Sequence, residues 1–277
     1  MNKDVIVQKL RKKSRELNLN YNVTLSKFFF DEFLRLLAGS KYKNNFLLKG
    51  GMLLTYSLGI QNRTTQDIDF LVKGIELNVE DIKQILNDIL ERTDSSDIWF
   101  EMKDKVDSIR ADDDYGGLKF HIVGHLLNIQ VPFSIDIATG DPVYPLPEFE
   151  QYSTLLGDPI EIKLYPLESV LSEKLQTVLM RAENNSRSKD FYDIYAILTR
   201  QGKKINSKEL RAAVTQTFKY RKSDITKARA KEIISCINND KGIQDRWYRY
   251  QRKNPYAQGI EFTKIISSLN TLVDMAM

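Results

Sequence analysis

Residues 47–54 read LLKGGMLL, and after a short interval residues 63–72 read RTTQDIDFLV. In the first piece an apolar stretch from Phe46 to Leu48 meets Lys49-Gly50-Gly51 and then the helix-like Met52-Leu53-Leu54-Thr55-Tyr56. The second alternates with the period of a strand over 67–73. On such a strand Asp67 and Asp69 leave the same face while Ile68 and Phe70 point the other way. Two carboxylates on one face repel unless a cation neutralises them, and hard oxygen ligands of this kind suit Mg²⁺ or Mn²⁺. A Gly-Gly step into a helix lets backbone approach a phosphate closely, where the helix N-terminus offers unpaired N–H groups and a favourable dipole. Alone, each piece reads as a tight turn or as a pair of solvated acids. In the order strand, Gly-Gly, helix, Asp-x-Asp they point to phosphate chemistry.

The rest of the chain limits what can surround that site. Its 277 residues, 42% hydrophobic and 28% charged, are enough for one large or two modest cores. Charge is mixed, 41 Lys+Arg against 37 Asp+Glu, which excludes a disordered chain of single sign. The absence of any long apolar run argues against a membrane-spanning helix. MNKDVIVQKLRKKSREL carries no apolar core of a signal peptide. A lone Cys236 excludes an internal disulfide and a Cys-ligated zinc site, and a reducing cytoplasm is the expected location. The net charge of +4 is uneven: residues 200–277 hold 17 basic and 7 acidic residues, and the first 199 are net acidic. A basic block of this kind favours phosphate-bearing partners, although a solvated helical face is the commoner reason for one.

Periodicity predicts helices over 5–17, 24–38 and 78–92, the second with Leu25, Phe28, Phe29, Phe33, Leu36 and Leu37 on its apolar face and Thr24 or Ser26 as its cap. Strand-like pieces follow at 97–102, 105–111, 117–124 and 131–138, with a hairpin signal in DDDYGG (112–117). From Pro166 the pattern is helical: 166–183, 189–199, 206–219, 226–238 and 259–275. A boundary is expected within GDPIEIKLYP (157–166), dividing an α/β (α+β) region, 1–160, from a helical, basic region, 161–277.

Further positions carry chemistry. In PFSIDIATGD (132–141), Asp136 is an isolated acid on a strand that otherwise reads as core, so it is either paired with something or at a sheet edge facing water. It is a better third carboxylate than Asp141, which sits in a turn with Gly140 and Pro142. On the helix PLESVLSEKLQTVLMR (166–181), Lys174 falls inside the apolar stripe of Val170, Leu171, Leu175 and Val178, so it snorkels to the edge or meets an anion. Arg181 lies two turns further along that face. In SKDFYDIYAIL (188–198), Asp190 and Asp193 are neighbours on one side, and Asp190 also suits a helix start. His121 and His125 fall on one strand-like piece, where their spacing does not converge on a metal, and read as structural. Cys236, beside Ile233 and Ile237, reads as core.

The combination LKGG…R-x-T-x-DID followed by EKL…R…KDFYDIY resembles the AbiEii/AbiGii family of nucleotidyltransferase toxins of abortive-infection, or type IV toxin–antitoxin, systems, within the DNA polymerase β-like nucleotidyltransferase superfamily. The likeness runs from about residue 25 to about 200. It implies a polymerase β-like domain with a mixed sheet over 1–160 and a helical domain contributing Lys174 and Asp190 to the site. It further implies metal-binding carboxylates at Asp67, Asp69 and Asp136, and NTP contacts from Lys49, Gly50, Gly51, Thr65, Lys174 and Arg181. The chain departs from the superfamily pattern in its longer spacer between Gly51 and Asp67, in Gly where Ser is common at the second turn position, and in Lys189 where Arg is commoner.

The implied reaction is NMP transfer from an NTP to RNA, the 3′ end of tRNA in particular, with Mg²⁺ or Mn²⁺, arresting growth and phage propagation. The implied partners are the NTP, the RNA and a cognate antitoxin, with no membrane. In RWYRYQRK (246–253), Arg246, Trp247, Arg249, Arg252 and Lys253 suit an RNA contact, with the rings stacking on bases, unless the aromatics belong to a helical core. A small-molecule acceptor, as in antibiotic-modifying enzymes, is the competing reading, and the basic tail argues against it. A non-catalytic RNA- or partner-binding module is the reading from another class; both Asp67 and Asp69 being present argues against that.

Overall fold

Helix α2 (Tyr21–Gly39) buries Phe28, Phe29, Phe30 and Phe33 together. The rings of Phe29, Phe30 and Phe33 meet Phe70, Phe100 and Phe133 edge-on or tilted at 5.2–6.4 Å between centroids, a geometry that aromatic quadrupoles favour. Phe70, Phe100 and Phe133 lie on three strands of one sheet, which therefore turns an apolar face to α2. The cap is Asn20, whose side chain accepts the Asn22 N–H at 2.8 Å. Thr24, expected as a cap, is instead buried within the helix, its hydroxyl bonded to the Asn20 carbonyl.

The computed structural model describes residues 3–91, 97–109, 116–182 and 187–277. Residues 112–115 of the expected hairpin tip lie outside them. Two compact units divide the chain: Met1–Gly140 with Glu148–Leu164, and Asp141–Pro147 with Tyr165–Met277.

The first unit runs α1 (Lys3–Glu16), α2, β1 (Phe46–Lys49), α3 (Gly50–Leu58), β2 (Asp67–Val72), α4 (Val79–Leu90), β3 (Ile98–Ile109), β4 (Gly117–Leu126), β5 (Ile129–Ala138), β6 (Phe149–Tyr152) and β7 (Ile160–Leu164). The strands form one sheet in the order β3-β4-β5-β2-β1-β7-β6. β2 with β5 and β1 with β7 are parallel, and the other neighbours are antiparallel, so the fold is mixed α/β. The piece 97–102 and the described part of 105–111 belong to one strand, β3, whose register against β4 slips between Met102 and Val106. The stretch read as a boundary contains β7, and its parallel partner β1 lies more than a hundred residues earlier, outside any local pattern.

The second unit holds α5 (Leu167–Arg181), α6 (Ser188–Gln201), α7 (Ser207–Tyr220), α8 (Lys227–Asn239), α9 (Lys241–Lys253) and α10 (Phe262–Ala276). Asn206, Thr226 and Asp240 cap α7, α8 and α9 by accepting N–H groups of the first turn. The buried stripe of α8 is Ala230, Ile233, Ile234 and Ile237. Cys236 falls beside that stripe and is exposed, contrary to expectation. Among the described residues no helix is long and apolar enough to cross a membrane.

Candidate active site

β1 runs into α3 without a loop: Lys49 is the last strand residue and Gly50 the first of the helix. The antiparallel register sets Lys49 opposite Asp69, and the parallel register of β2 with β5 sets Asp69 opposite Asp136. Ile68 and Phe70 are buried on the other face. One ligand oxygen from each of Asp67, Asp69 and Asp136 lies within 4.8 Å of the others. β5 is an interior strand, so Asp136 is not the edge acid of the alternative reading. Asp141 is bound to Arg221 at 3.1 Å within the second unit.

The glycines are required here by contact. Gly51 N–H donates to Asp69 Oδ2 at 3.0 Å. Gly50 has φ +60°, and a Cβ on it would stand 1.9 Å from that same oxygen. A Cβ on Gly51 would come 2.3 Å from Thr65 Oγ1. The Thr65 hydroxyl in turn donates to Asp67 Oδ1. Turn, hydroxyl and carboxylates are thus one packed unit, with Lys49 buried beside them.

The three carboxylates repel one another. Burial, and then the neighbouring Asp67 charge, push the Asp69 carboxyl up to about 6; the Gly51 N–H and Lys49 only partly oppose them. Asp136 is raised as well, by burial first, against the pull of Lys119. A divalent cation fits this donor set: all-oxygen, acidic and mutually repulsive. Besides Lys49, a second cation of the chain faces it. Lys119 on β4 is the register partner of Asp136, and its ammonium lies 2.9 Å from Asp136 Oδ1. Sequence reading missed Lys119, although the alternation of GLKFHIV puts it on the polar face of its strand. On the same strand His121 is bonded to Asp107 at 2.8 Å, and His125 is buried under Trp99.

The remaining candidates belong to the second unit. Lys174 does not snorkel: its ammonium lies 2.7 Å from both Asp190 Oδ1 and Asp193 Oδ2. Burial would lower its pKa, but the two carboxylates outweigh it and raise it. Arg187 approaches the other Asp190 oxygen at 3.5 Å. Arg181 is exposed at the end of α5. On α9, Tyr248, Arg249, Arg252 and Lys253 are exposed and share a face, and Arg246 is half-buried. Trp247 corrects the sequence reading: it is wholly buried, with its indole N–H donating to the Ile260 carbonyl at 3.1 Å, so its ring belongs to the core and cannot stack on a base. Tyr250 packs against Trp247 and Tyr256.

A Gly-Gly helix start set against three carboxylates of a mixed sheet defines a nucleotidyltransferase. The chain belongs to the family of nucleotidyl transferase AbiEii toxins of type IV toxin–antitoxin systems, whose model matches residues 33–266. An NTP substrate and a cognate antitoxin follow from that membership. Among solved structures, a candidate nucleotidyltransferase from H. pylori is similar over 92% of this chain and 95% of that one, with TM-score 0.54 and 12% identity. JHP933 from Helicobacter pylori is similar over 88% of each chain, with TM-score 0.52 and 13% identity. At these identities the likeness is one of fold. No curated protein matches the chain.

Proposed function

We propose that the protein transfers a nucleoside monophosphate from an NTP to the 3′ end of an RNA, tRNA in particular. The observation that carries this reading is the carboxylate triad within 4.8 Å, packed against the Gly50–Gly51 helix start. Asp67, Asp69 and Asp136 would hold Mg²⁺ or Mn²⁺, which would supply positive charge to the triphosphate and to the leaving pyrophosphate. The Gly50–Gly51 start of α3, with Lys49 and Thr65, is assigned to the phosphates. The acceptor oxygen bonds to the α-phosphorus, the bond to the bridging oxygen breaks, and pyrophosphate leaves. Asp136 helps to activate the acceptor hydroxyl by taking its proton. In the second unit, Lys174 and Arg181 are assigned to the NTP phosphates and Asp190 to holding Lys174.

The exposed Tyr248, Arg249, Arg252 and Lys253 supply one ring and three cations to RNA. Capping the 3′ end would block aminoacylation, arresting growth and, during infection, phage propagation until the antitoxin intervenes. Incubation with Mg²⁺, each labelled NTP and total RNA tests this. Label in a discrete small-RNA band, mapped to its 3′ end, is the expected result. Label that stays in low-molecular-weight products would instead select a small-molecule acceptor.

A further inference from the structure

The face of the sheet that carries the three carboxylates does not end at Asp136. Along β5 the same face continues through Ser134, Pro132 and Gln130, since alternate residues share a side. The register sets these opposite His121, Val123 and His125 of β4, and His125 opposite Trp99 of β3. The other side of these strands carries the buried Phe120, Phe133 and Ile135 and the half-buried Phe100. The face therefore forms a strip from the carboxylates to Trp99, six residues or about 20 Å along the strands.

Trp99 is the unusual member. Its ring lies flat on His125, with centroids 3.7 Å apart and planes 5° apart, and the residue is still 46% exposed. With one ring face on the imidazole, only the other is left for a base to stack on. Between Trp99 and the triad the strip offers hydrogen-bond donors. The Lys119 and His121 side chains are 27% and 36% exposed, and Ser134 is half-buried. Among the described residues, two acids on this face outside the triad are each held by a lysine and a histidine: Glu101 by Lys103 and His125, and Asp107 by Lys105 and His121. Among the described residues, an anionic polymer can thus lie along the strip without meeting an uncompensated carboxylate before the triad.

We propose that this strip is the acceptor track: the 3′-terminal nucleotides of a single-stranded RNA run along β3–β5, a base stacks on Trp99, Lys119 and His121 face the phosphates, and the terminal hydroxyl arrives at Asp136. The proposal rests on the RNA acceptor put forward above. Every base has a π-face, so one exposed ring holds a strand without selecting its sequence. A small acceptor bound at the carboxylates would not reach a ring some 20 Å away.

Tryptophan fluorescence tests it, because the other tryptophan, Trp247, is wholly buried and serves as a silent background. A short unstructured oligoribonucleotide titrated into wild type should quench the emission, and in Trp99→Ala the quenching should vanish. The same variant should bind the oligonucleotide about tenfold more weakly, with Trp99→Phe in between and the NTP KM unchanged. Melting curves of both variants guard against loss of fold. If Trp99→Ala binds and extends RNA like wild type, the track is misplaced. If wild type binds no RNA but labels a small molecule, the RNA reading itself fails and the track with it. If Trp99→Ala impairs only binding of the antitoxin or self-association, the exposed ring serves a protein interface and the proposal is overturned.

Discussion

At Gly50 the left-handed backbone and the proximity of Asp69 impose the same requirement. A methyl group there would collide with the carboxylate, and an L-residue at φ +60° is itself strained by about 1–2 kcal/mol. Gly50→Ala should therefore fold but displace Asp69, lowering transfer by about 10²-fold; wild-type transfer in that variant would show that the turn does not position the site. Asp69 also leaves a mark on stability. Its carboxyl is raised to about 6 in the folded chain from an ordinary value near 3.8, so the folded state holds a proton that the unfolded state releases. The penalty is fully present above pH 6 and is relieved as pH falls from about 6 to about 4. In chelator, the stability of wild type relative to Asp69→Asn should rise across that window. A pH-independent difference would contradict the electrostatic description.

Elements show which parts of the site could be read ahead of the structure. The alternation in DIDFLV and PFSIDIA places Asp67, Asp69 and Asp136 on polar faces because a two-residue period is local. Their meeting depends on β2 pairing with β5 across some sixty-seven residues, which no local pattern records. Lys119 was missed because its importance comes from that neighbour strand. On α9 the sequence alternates rings and cations, and only packing decides that Trp247 turns inward and Tyr248 outward. Lys174 was legible as an anomaly but not its partners, since Asp190 and Asp193 are on another helix. Lys174→Met would leave two buried acids side by side and should cost about 3–5 kcal/mol. Adding Asp193→Asn should recover part of that loss in denaturant unfolding; strictly additive losses would deny the coupling. For α9, reversing the charges of Arg249 and Arg252 should weaken RNA binding and flatten its salt dependence, because fewer counterions are released. NTP affinity should not change. Unaltered RNA affinity at moderate salt would remove α9 from the footprint.

Across the whole molecule, the family supplies the reaction class, and the sheet supplies carboxylates packed as that class needs them. The central claim is that nucleotidyl transfer takes place at Asp67, Asp69 and Asp136 with a divalent cation. Asparagine at Asp69 keeps an oxygen to accept the Gly51 N–H and removes a repelling charge, so the fold should survive the loss of the site. Single-turnover transfer of labelled NMP to RNA, by wild type and by the Asp67→Asn/Asp69→Asn double variant with Mg²⁺ or with chelator, tests the claim most directly. The account predicts product only from wild type with metal, and a double variant that melts no lower than metal-free wild type. Undiminished transfer by the double variant, or by wild type in chelator, would contradict it.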